Sequence, residues 1–381
     1  MNWGGHLKEV WPTLRKQLLE GTYEPQPVKR VEIPKPDGGT RKLGIPTVLD
    51  RCLQQALLQV LQPRWDPMFS EHSYGFRPRR SAHQAVAQAQ RYIAEGHRWV
   101  VDLDLEKFFD RVNHDRLMAH GARRVRDKRV LRLIRGFLTA GVLEGGLVSP
   151  TEEGTPQGGP LSPLLSNLVL DELDRELERR GLRFVRYADD CNIYVRSERA
   201  GRRVMESVTG FLNAKLKLRV NQSKSAVARP SERRFLGFSF TSHRAAKRRI
   251  APKALTRLKE LIRERTGRTR GVSLAQMIEG LAVYLRGWRS YFGFCETSSV
   301  LRHLDSWIRR RLRCFLWKQW KRGRVRFREL RTRGVNFALA ARTAGSPKGP
   351  WHLSRSPALS FALPDAFFLD LGLPRLEPVS R

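Results

Sequence analysis

A chain of 381 residues, 40% of them hydrophobic, is long enough for two or three domains and apolar enough to fill their cores, which excludes a disordered basic tail. Its 72 Lys and Arg against 37 Asp and Glu leave a net charge of +35, and with nine Trp and eighteen Phe interleaved this points to RNA or DNA as partner rather than to a bare cationic surface. The start shows no secretory signal, the longest charge-free stretch (154–170) is broken by three prolines, and the four cysteines form no C-x-x-C pair, so we expect a cytoplasmic chain with no membrane span, no disulfide-linked partner and no zinc site.

In chain order, Leu7, Val10, Trp11, Leu14, Leu18 and Leu19 mark an amphipathic helix before the Gly21 and Pro25 breakers. Residues 31–46 read as two short strands around Asp-Gly-Gly, a hairpin whose cations Lys35, Arg41 and Lys42 suit either the grip of a triphosphate or the charge protection of an edge strand. Residues 50–61 form a helix with Leu53, Ala56, Leu57, Val60 and Leu61 inward. The basic, aromatic loop 73–83 offers Arg77, Arg79 and Arg80 to phosphates, and Ser81 is placed to cap the helix 82–95. In 99–105, Trp99, Val101, Leu103 and Leu105 alternate with Val100, Asp102 and Asp104, which predicts a strand.

The stretch 154–174 is a Gly- and Pro-rich loop running into an apolar helix, where Gly158 and Gly159 permit close backbone approach and Gln157 can donate and accept. Residues 184–196 place Asp189 and Asp190 between two apolar, strand-like runs. Such a pair either decorates a hairpin turn or, joined by Asp104 from the upstream strand, forms a carboxylate cluster able to hold two Mg²⁺ ions about 4 Å apart for nucleotidyl transfer. Residues 216–221 and 235–240 read as further strands, and Lys224 between them is placed to protonate a departing pyrophosphate if it lies at that cluster. From 251 the pattern turns helical, over 255–265, 274–291 and 301–322. The last carries an apolar stripe from Leu304 to Leu316 within a Lys- and Arg-rich surface suited to a duplex backbone. The remainder, 323–381, is rich in Arg, Gly and Pro, with Trp351, Leu353, Leu359, Phe361, Leu363, Phe367, Phe368 and Leu371 expected to form a small core.

Six blocks in order, 35–46, 74–78, 104–110, 156–163, 187–190 (Tyr-Ala-Asp-Asp) and 235–238, resemble the bacterial group II intron reverse transcriptase and maturase family, and 285–292, 307–321 and 351–359 extend the resemblance to residues 25–381. The resemblance implies an α+β right-hand polymerase, with fingers and a ferredoxin-like palm carrying an antiparallel sheet, then a helical thumb and a small basic C-terminal segment. It implies Asp104, Asp189 and Asp190 as catalytic carboxylates, with Asp104, Leu105, Asp189 and Asp190 at the metal. Lys35, Arg41, Phe109, Gln157 and Lys224 would meet the nucleotide, Phe109 blocking a ribose 2′-hydroxyl. Arg77, Arg79, Arg80, Arg309, Arg310, Arg313, Lys318 and Lys321 would meet nucleic acid.

The expected divisions are 1–30 (remnant of an N-terminal extension), 31–250 (fingers and palm), 251–325 (thumb) and 326–381 (C-terminal DNA-binding segment). The expected activity is RNA-directed DNA polymerase with Mg²⁺ and dNTPs on an RNA template and DNA primer. The same surface would bind the group II intron RNA as a ribonucleoprotein, promote its splicing and support target-primed insertion at a DNA target. A splicing-only maturase and a domesticated reverse transcriptase of defence or diversity generation are the alternatives. Two departures stand against the family pattern. The chain begins inside the segment matched by 7–23, which puts the template-clamping element in doubt, and it carries no HNH nuclease cysteines.

Overall fold

Two separate hydrophobic cores organise the chain in the computed structural model, which describes residues 3–34, 38–243 and 245–377. One core lies in the unit Met1–Arg233 and the other in Arg234–Arg381. Residues from Ile250 to Leu376 share one core, so the expected segments 251–325 and 326–381 pack together, and the short β-segment before them belongs with the same unit.

The first unit opens with α1 (Trp3–Glu20), then the hairpin of β1 (Val28–Pro34) and β2 (Thr40–Ile45), which pair antiparallel from Lys29↔Ile45 to Pro34↔Thr40. Helices α2 (Val48–Trp65) and α3 (Ala82–Ala94) follow. The start of α3 is the reciprocal Ser81–Gln84 capping box, which satisfies two of the N–H groups that a helix start leaves unpaired. After β3 (Trp99–Leu103) come α4 (His114–Ala122), α5 (Lys128–Thr139) and the small hairpin β4 (Val142–Glu144) and β5 (Leu147–Ser149). These two strands extend the first sheet in the order β2-β1-β4-β5.

Helix α6 (Ser162–Arg179) is buried over most of its length, with Leu164, Leu165, Leu168, Leu170, Leu173 and Leu177 at 2% exposure or less. Its sequence is apolar on nearly every side because it runs through the core. Then come β6 (Arg183–Tyr187), β7 (Asp190–Val195), α7 (Glu198–Phe211) and β8 (Ala226–Ala228). The second sheet has the order β6-β7-β3-β8 and is antiparallel throughout, so the strand ending just before Asp104 sits centrally beside the Asp-Asp hairpin.

The expected strand 216–221 does not form a ladder. Leu212–Leu216 continues α7 as a π-turn, Lys217 is left-handed (φ 57°), and the segment pairs only through a bridge at Leu105↔Val220. Its alternation is real, with Leu216, Leu218 and Val220 all buried, but burial alone does not build a strand. Likewise 235–240 is a strand only over Phe238–Phe240, because Leu236 and Gly237 take positive φ in a turn.

In the second unit β9 (Phe238–Phe240) pairs with β10 (Arg248–Ile250), followed by α8 (Pro252–Arg265), α9 (Leu274–Phe292) and α10 (Ser298–Gln319). Five short helices complete it: α11 (Gly323–Thr332), α12 (Phe337–Ala344), α13 (Pro350–Leu353), α14 (Pro357–Ala362) and α15 (Asp365–Asp370). Leu353, Leu359, Leu363 and Phe368 fill its core as expected, whereas Phe361 and Trp351 are exposed at 63% and 39%. The four cysteines are free thiols, and no helix among the described residues is long and apolar enough to cross a membrane.

Candidate active site

The register between β3 and β7 decides where the acidic residues meet. Leu103 pairs with Cys191 and Tyr187 with Asp190, so carrying the first ladder on by one residue sets Asp104 opposite Asp190, with Asp189 in the two-residue turn beside them. Residues opposed across antiparallel strands are side-chain neighbours. Asp190 is exposed, whereas Asp189 is largely covered. Burial first raises the Asp189 pKa, its own backbone hydrogen bond works against this, and the charge of Asp104 raises it further, while Arg41 and Arg186 oppose. A carboxylate in that position is costly to ionise until a cation arrives.

Around Asp104 the main chain is fixed on both sides. Its N–H donates to Ser225 Oγ at 3.0 Å, and its carbonyl accepts from Asn221 N–H at 2.8 Å and from the Ser225 hydroxyl at 3.4 Å. The ladder bonds flanking Leu105, from Glu106 N–H to Arg219 O and from Asn221 N–H to Asp104 O, do not use the Leu105 carbonyl. Lys224 Nζ stands 3.7 Å from Asp104 Oδ2. Arg233 pairs with Asp102 and donates to the Lys224 carbonyl, so the segment carrying Lys224 is tied to β3. Among the described residues no group of three or more His, Cys, Asp or Glu stands ready as a metal cage, and the pairing that the electrostatics record is Asp104 with Asp189.

Phe109 lies in the short 3-10 turn Phe108–Asp110, entered through a left-handed Lys107. Phe108 plugs the core at 2% exposure and meets Phe109 edge-on at 5.2 Å, leaving the second ring part-buried. The Gly-rich loop docks on this turn: Thr155 N–H donates to Phe109 O at 2.6 Å and Gly154 N–H to Val112 O at 2.8 Å. Gly154 has φ +93°, and a Cβ there would come within 2.9 Å of Phe109 O, so only glycine lets the loop lie this close. Gly44 N–H from β2 donates to Gln157 O at 2.9 Å, and Gln157 Nε2 makes a long 3.5 Å contact to Asp110 Oδ1. Lys35 lies outside the described residues.

Several expected nucleic-acid contacts are internal instead. Arg77 is buried at 8% exposure, paired with Asp66 at 2.8 Å and donating to the carbonyls of Ser70 and Ser73, because a guanidinium under this loop satisfies carbonyls that water cannot reach. Arg80 stacks on Tyr74 and donates to Glu71 O, while Arg79 is exposed. On α10, Arg309 pairs with Asp365 at 2.7 Å, and Arg313 bonds Leu363 O at 2.9 Å and Asp365 at 3.5 Å. Arg310 lies over Trp351 at 3.7 Å and donates to Trp351 O. These three hold the C-terminal helices to α10, whereas Lys318 and Lys321 remain exposed. Two residues that sequence reading does not single out are Ser225, next to Lys224, and Arg233, whose partner is 131 residues away.

A sequence profile described as "Reverse transcriptase (RNA-dependent DNA polymerase)" matches residues 33–240, and one described as "Group II intron, maturase-specific domain" matches 255–334. Protein YkfC of Escherichia coli (strain K12) is 35% identical over 274 residues, covering 62% of this chain and 71% of that protein. Group II intron-encoded protein LtrA of Lactococcus lactis subsp. cremoris is 30% identical over 307 residues, covering 63% of this chain, and the chain matches about half of LtrA's length, 51%. Among solved structures, apo telomerase from Candida tropicalis matches 95% of this chain and 71% of its own at 10% identity with a TM-score of 0.51, a likeness of fold.

Proposed function

Because the chain belongs to the group II intron reverse transcriptase and maturase family, we propose that it is an RNA-directed DNA polymerase that also binds a group II intron RNA and promotes its splicing and mobility. The observation that carries the polymerase reading is the β3–β7 register, which ends at Leu103↔Cys191 and so leaves Asp104 next to the hairpin of Asp189 and Asp190, where its charge acts on the largely covered Asp189.

The donor set suits a hard divalent cation: every ligand is oxygen, and Asp189, part-buried beside Asp104, is a carboxylate whose ionised form an added positive charge stabilises. Two Mg²⁺ ions held by Asp104, Asp189, Asp190 and the Leu105 carbonyl fit this reading. When bound, such ions supply Lewis-acid polarisation of the phosphates and of the attacking 3′-hydroxyl. The protein's own residues do the rest. Ser225 and Asn221 hold the Asp104 main chain, Arg41 faces Asp189 with a charge able to meet a triphosphate, and Lys224 stands where a proton can be given to departing pyrophosphate. Gln157 and the docked Gly-rich loop line the nucleotide's approach.

The second unit supports RNA and DNA binding by charge. Residues 234–381 carry 32 Lys and Arg against nine Asp and Glu, so most of the net charge lies in it. Arg79, Lys318 and Lys321 are the exposed cations of the expected set.

The test is DNA-primer extension on an RNA template with Mg²⁺ and dNTPs, beside splicing of the cognate intron at low Mg²⁺ with and without protein. Extension together with accelerated splicing supports the reading. Splicing without extension replaces it with a splicing-only maturase, and neither activity overturns it.

Phe109 gives a separate expectation. Replacing it with Ala removes the ring that would press on the sugar, and relaxing one steric contact of this size changes discrimination by about 10- to 200-fold. Ribonucleotide incorporation relative to deoxynucleotide should rise within that range in single-nucleotide kinetics, with deoxynucleotide insertion changed far less.

A further inference from the structure

The turn that carries Asp189 is held in a conformation that its own sequence disfavours. Ala188 has φ +58° at the first position of a two-residue hairpin, where glycine is the comfortable residue. Such a backbone persists only where its surroundings over-determine it.

The surroundings are specific. The Ala188 carbonyl accepts from Arg186 Nη1 at 2.8 Å, and the same nitrogen donates to Asn167 Oδ1 at 3.0 Å. Arg186 Nε and Nη2 both engage the Asp174 carboxylate, the first at 2.7 Å. Asn167 Nδ2 donates to Gly75 O at 2.9 Å. Gly75 in turn lies flush against the turn, since a Cβ on it would stand 2.2 Å from Ala188 N. The Arg186 main chain is clamped as well, its N–H donating to His72 O and its carbonyl accepting from Tyr74 N–H. Arg186, Asn167 and Asp174 are each at most 1% exposed, so no water competes for these bonds.

We infer that Arg186, clamped by Asp174 and Asn167 of α6, is a positioning residue that forces the Ala188–Asp189 turn into the strained form which sets the Asp189 carboxylate against Asp104. None of the three touches a substrate. They act through the turn, and the loop 73–77 serves as its backing rather than as a phosphate grip. As a contribution to catalysis the inference rests on the polymerase reading; as a contribution to cation binding it stands apart from it.

The test uses Mn²⁺ as the probe, with binding to the whole protein read by electron paramagnetic resonance, beside primer-extension kcat and KM and thermal unfolding. Two variants separate positioning from folding. Ala188→Gly relieves the strained φ and cannot destabilise through sterics, so its melting temperature should hold or rise while the turn loosens. Asn167→Leu keeps the volume but cuts the link between Arg186 and Gly75. Groups that orient metal ligands change affinity by about 10- to 100-fold. Asn167→Leu should weaken the Asp189-dependent Mn²⁺ affinity by at least the lower figure and lower kcat with KM for the nucleotide little changed. Ala188→Gly should do the same to a smaller degree.

Parent-like Mn²⁺ affinity in a folded Ala188→Gly and Asn167→Leu pair overturns the inference, as does a parent protein that binds no Mn²⁺ through Asp189. A parent that binds Mn²⁺ through Asp189, loses it in both variants and yet extends no primer sinks the polymerase reading and leaves the positioning role standing.

Discussion

Asp189→Ala should reduce RNA-templated primer extension by roughly a thousandfold or more, since a metal contact is worth several kcal/mol in the transition state and each 1.36 kcal/mol is tenfold in rate. The protein should not pay for this in stability. Burial and the Asp104 charge raise the folded-state pKa of Asp189 above its unfolded value, so the folded chain holds the proton more tightly than the unfolded one. Above the raised pKa both states are ionised, and the folded state bears the extra cost of that ionisation. At neutral pH, removing the carboxylate should therefore leave the melting temperature unchanged or higher. Loss of extension with an intact or raised melting temperature identifies a functional carboxylate, whereas full extension in the variant would remove Asp189 from the site.

The largest stability effect should come from Asp174→Ala. Arg186 and Asp174 are both fully buried, and the Ala variant leaves a guanidinium without its carboxylate in the core of the first unit. Breaking a buried pair by removing one partner costs about 3–5 kcal/mol, while replacing both partners by apolar residues of similar volume is often neutral. Denaturant titration should accordingly show a large loss for Asp174→Ala and substantial recovery in Asp174→Leu/Arg186→Met. That recovery should not extend to primer extension, because Met cannot hold the Ala188 carbonyl. A small loss in the single variant would mean that water reaches the pair.

Much of the first unit was legible from pattern alone. Alternation at 99–105 pointed to the central strand, Asp-Gly-Gly to the β1–β2 hairpin and Ser81 to a helix start, because each is a local signal whose physics lies within a few residues. The placement of Asp104 just past one strand and of Asp189-Asp190 at the turn between two others was legible for the same reason.

What was not legible is the assignment of cations. Arg77 looked like a phosphate contact, but Asp66 and two carbonyls claim it. Arg309 and Arg313 looked like a basic helix face, but Asp365, more than 50 residues later, claims both. A guanidinium's partner is chosen by tertiary proximity, and composition counts every Arg as though it were free. The run 216–221 failed differently: its alternation reports which side chains are buried, and the ladder that would make it a strand is replaced by a π-turn and a single bridge.

The separation into two cores has an optical consequence. Of the nine tryptophans, Trp288, Trp307, Trp317, Trp320 and Trp351 fall in the second unit, and Trp65 at 2% exposure is the deeply buried indole of the first. Intrinsic emission during unfolding will thus weight the helical second unit, and a curve followed by that signal alone will under-report damage to the unit that holds the carboxylates. A single midpoint describes such a chain only if different probes coincide. Two variants, one keeping only Trp65 and the other keeping only Trp317, with the remaining indoles exchanged for Phe, would turn the division into two separately readable transitions.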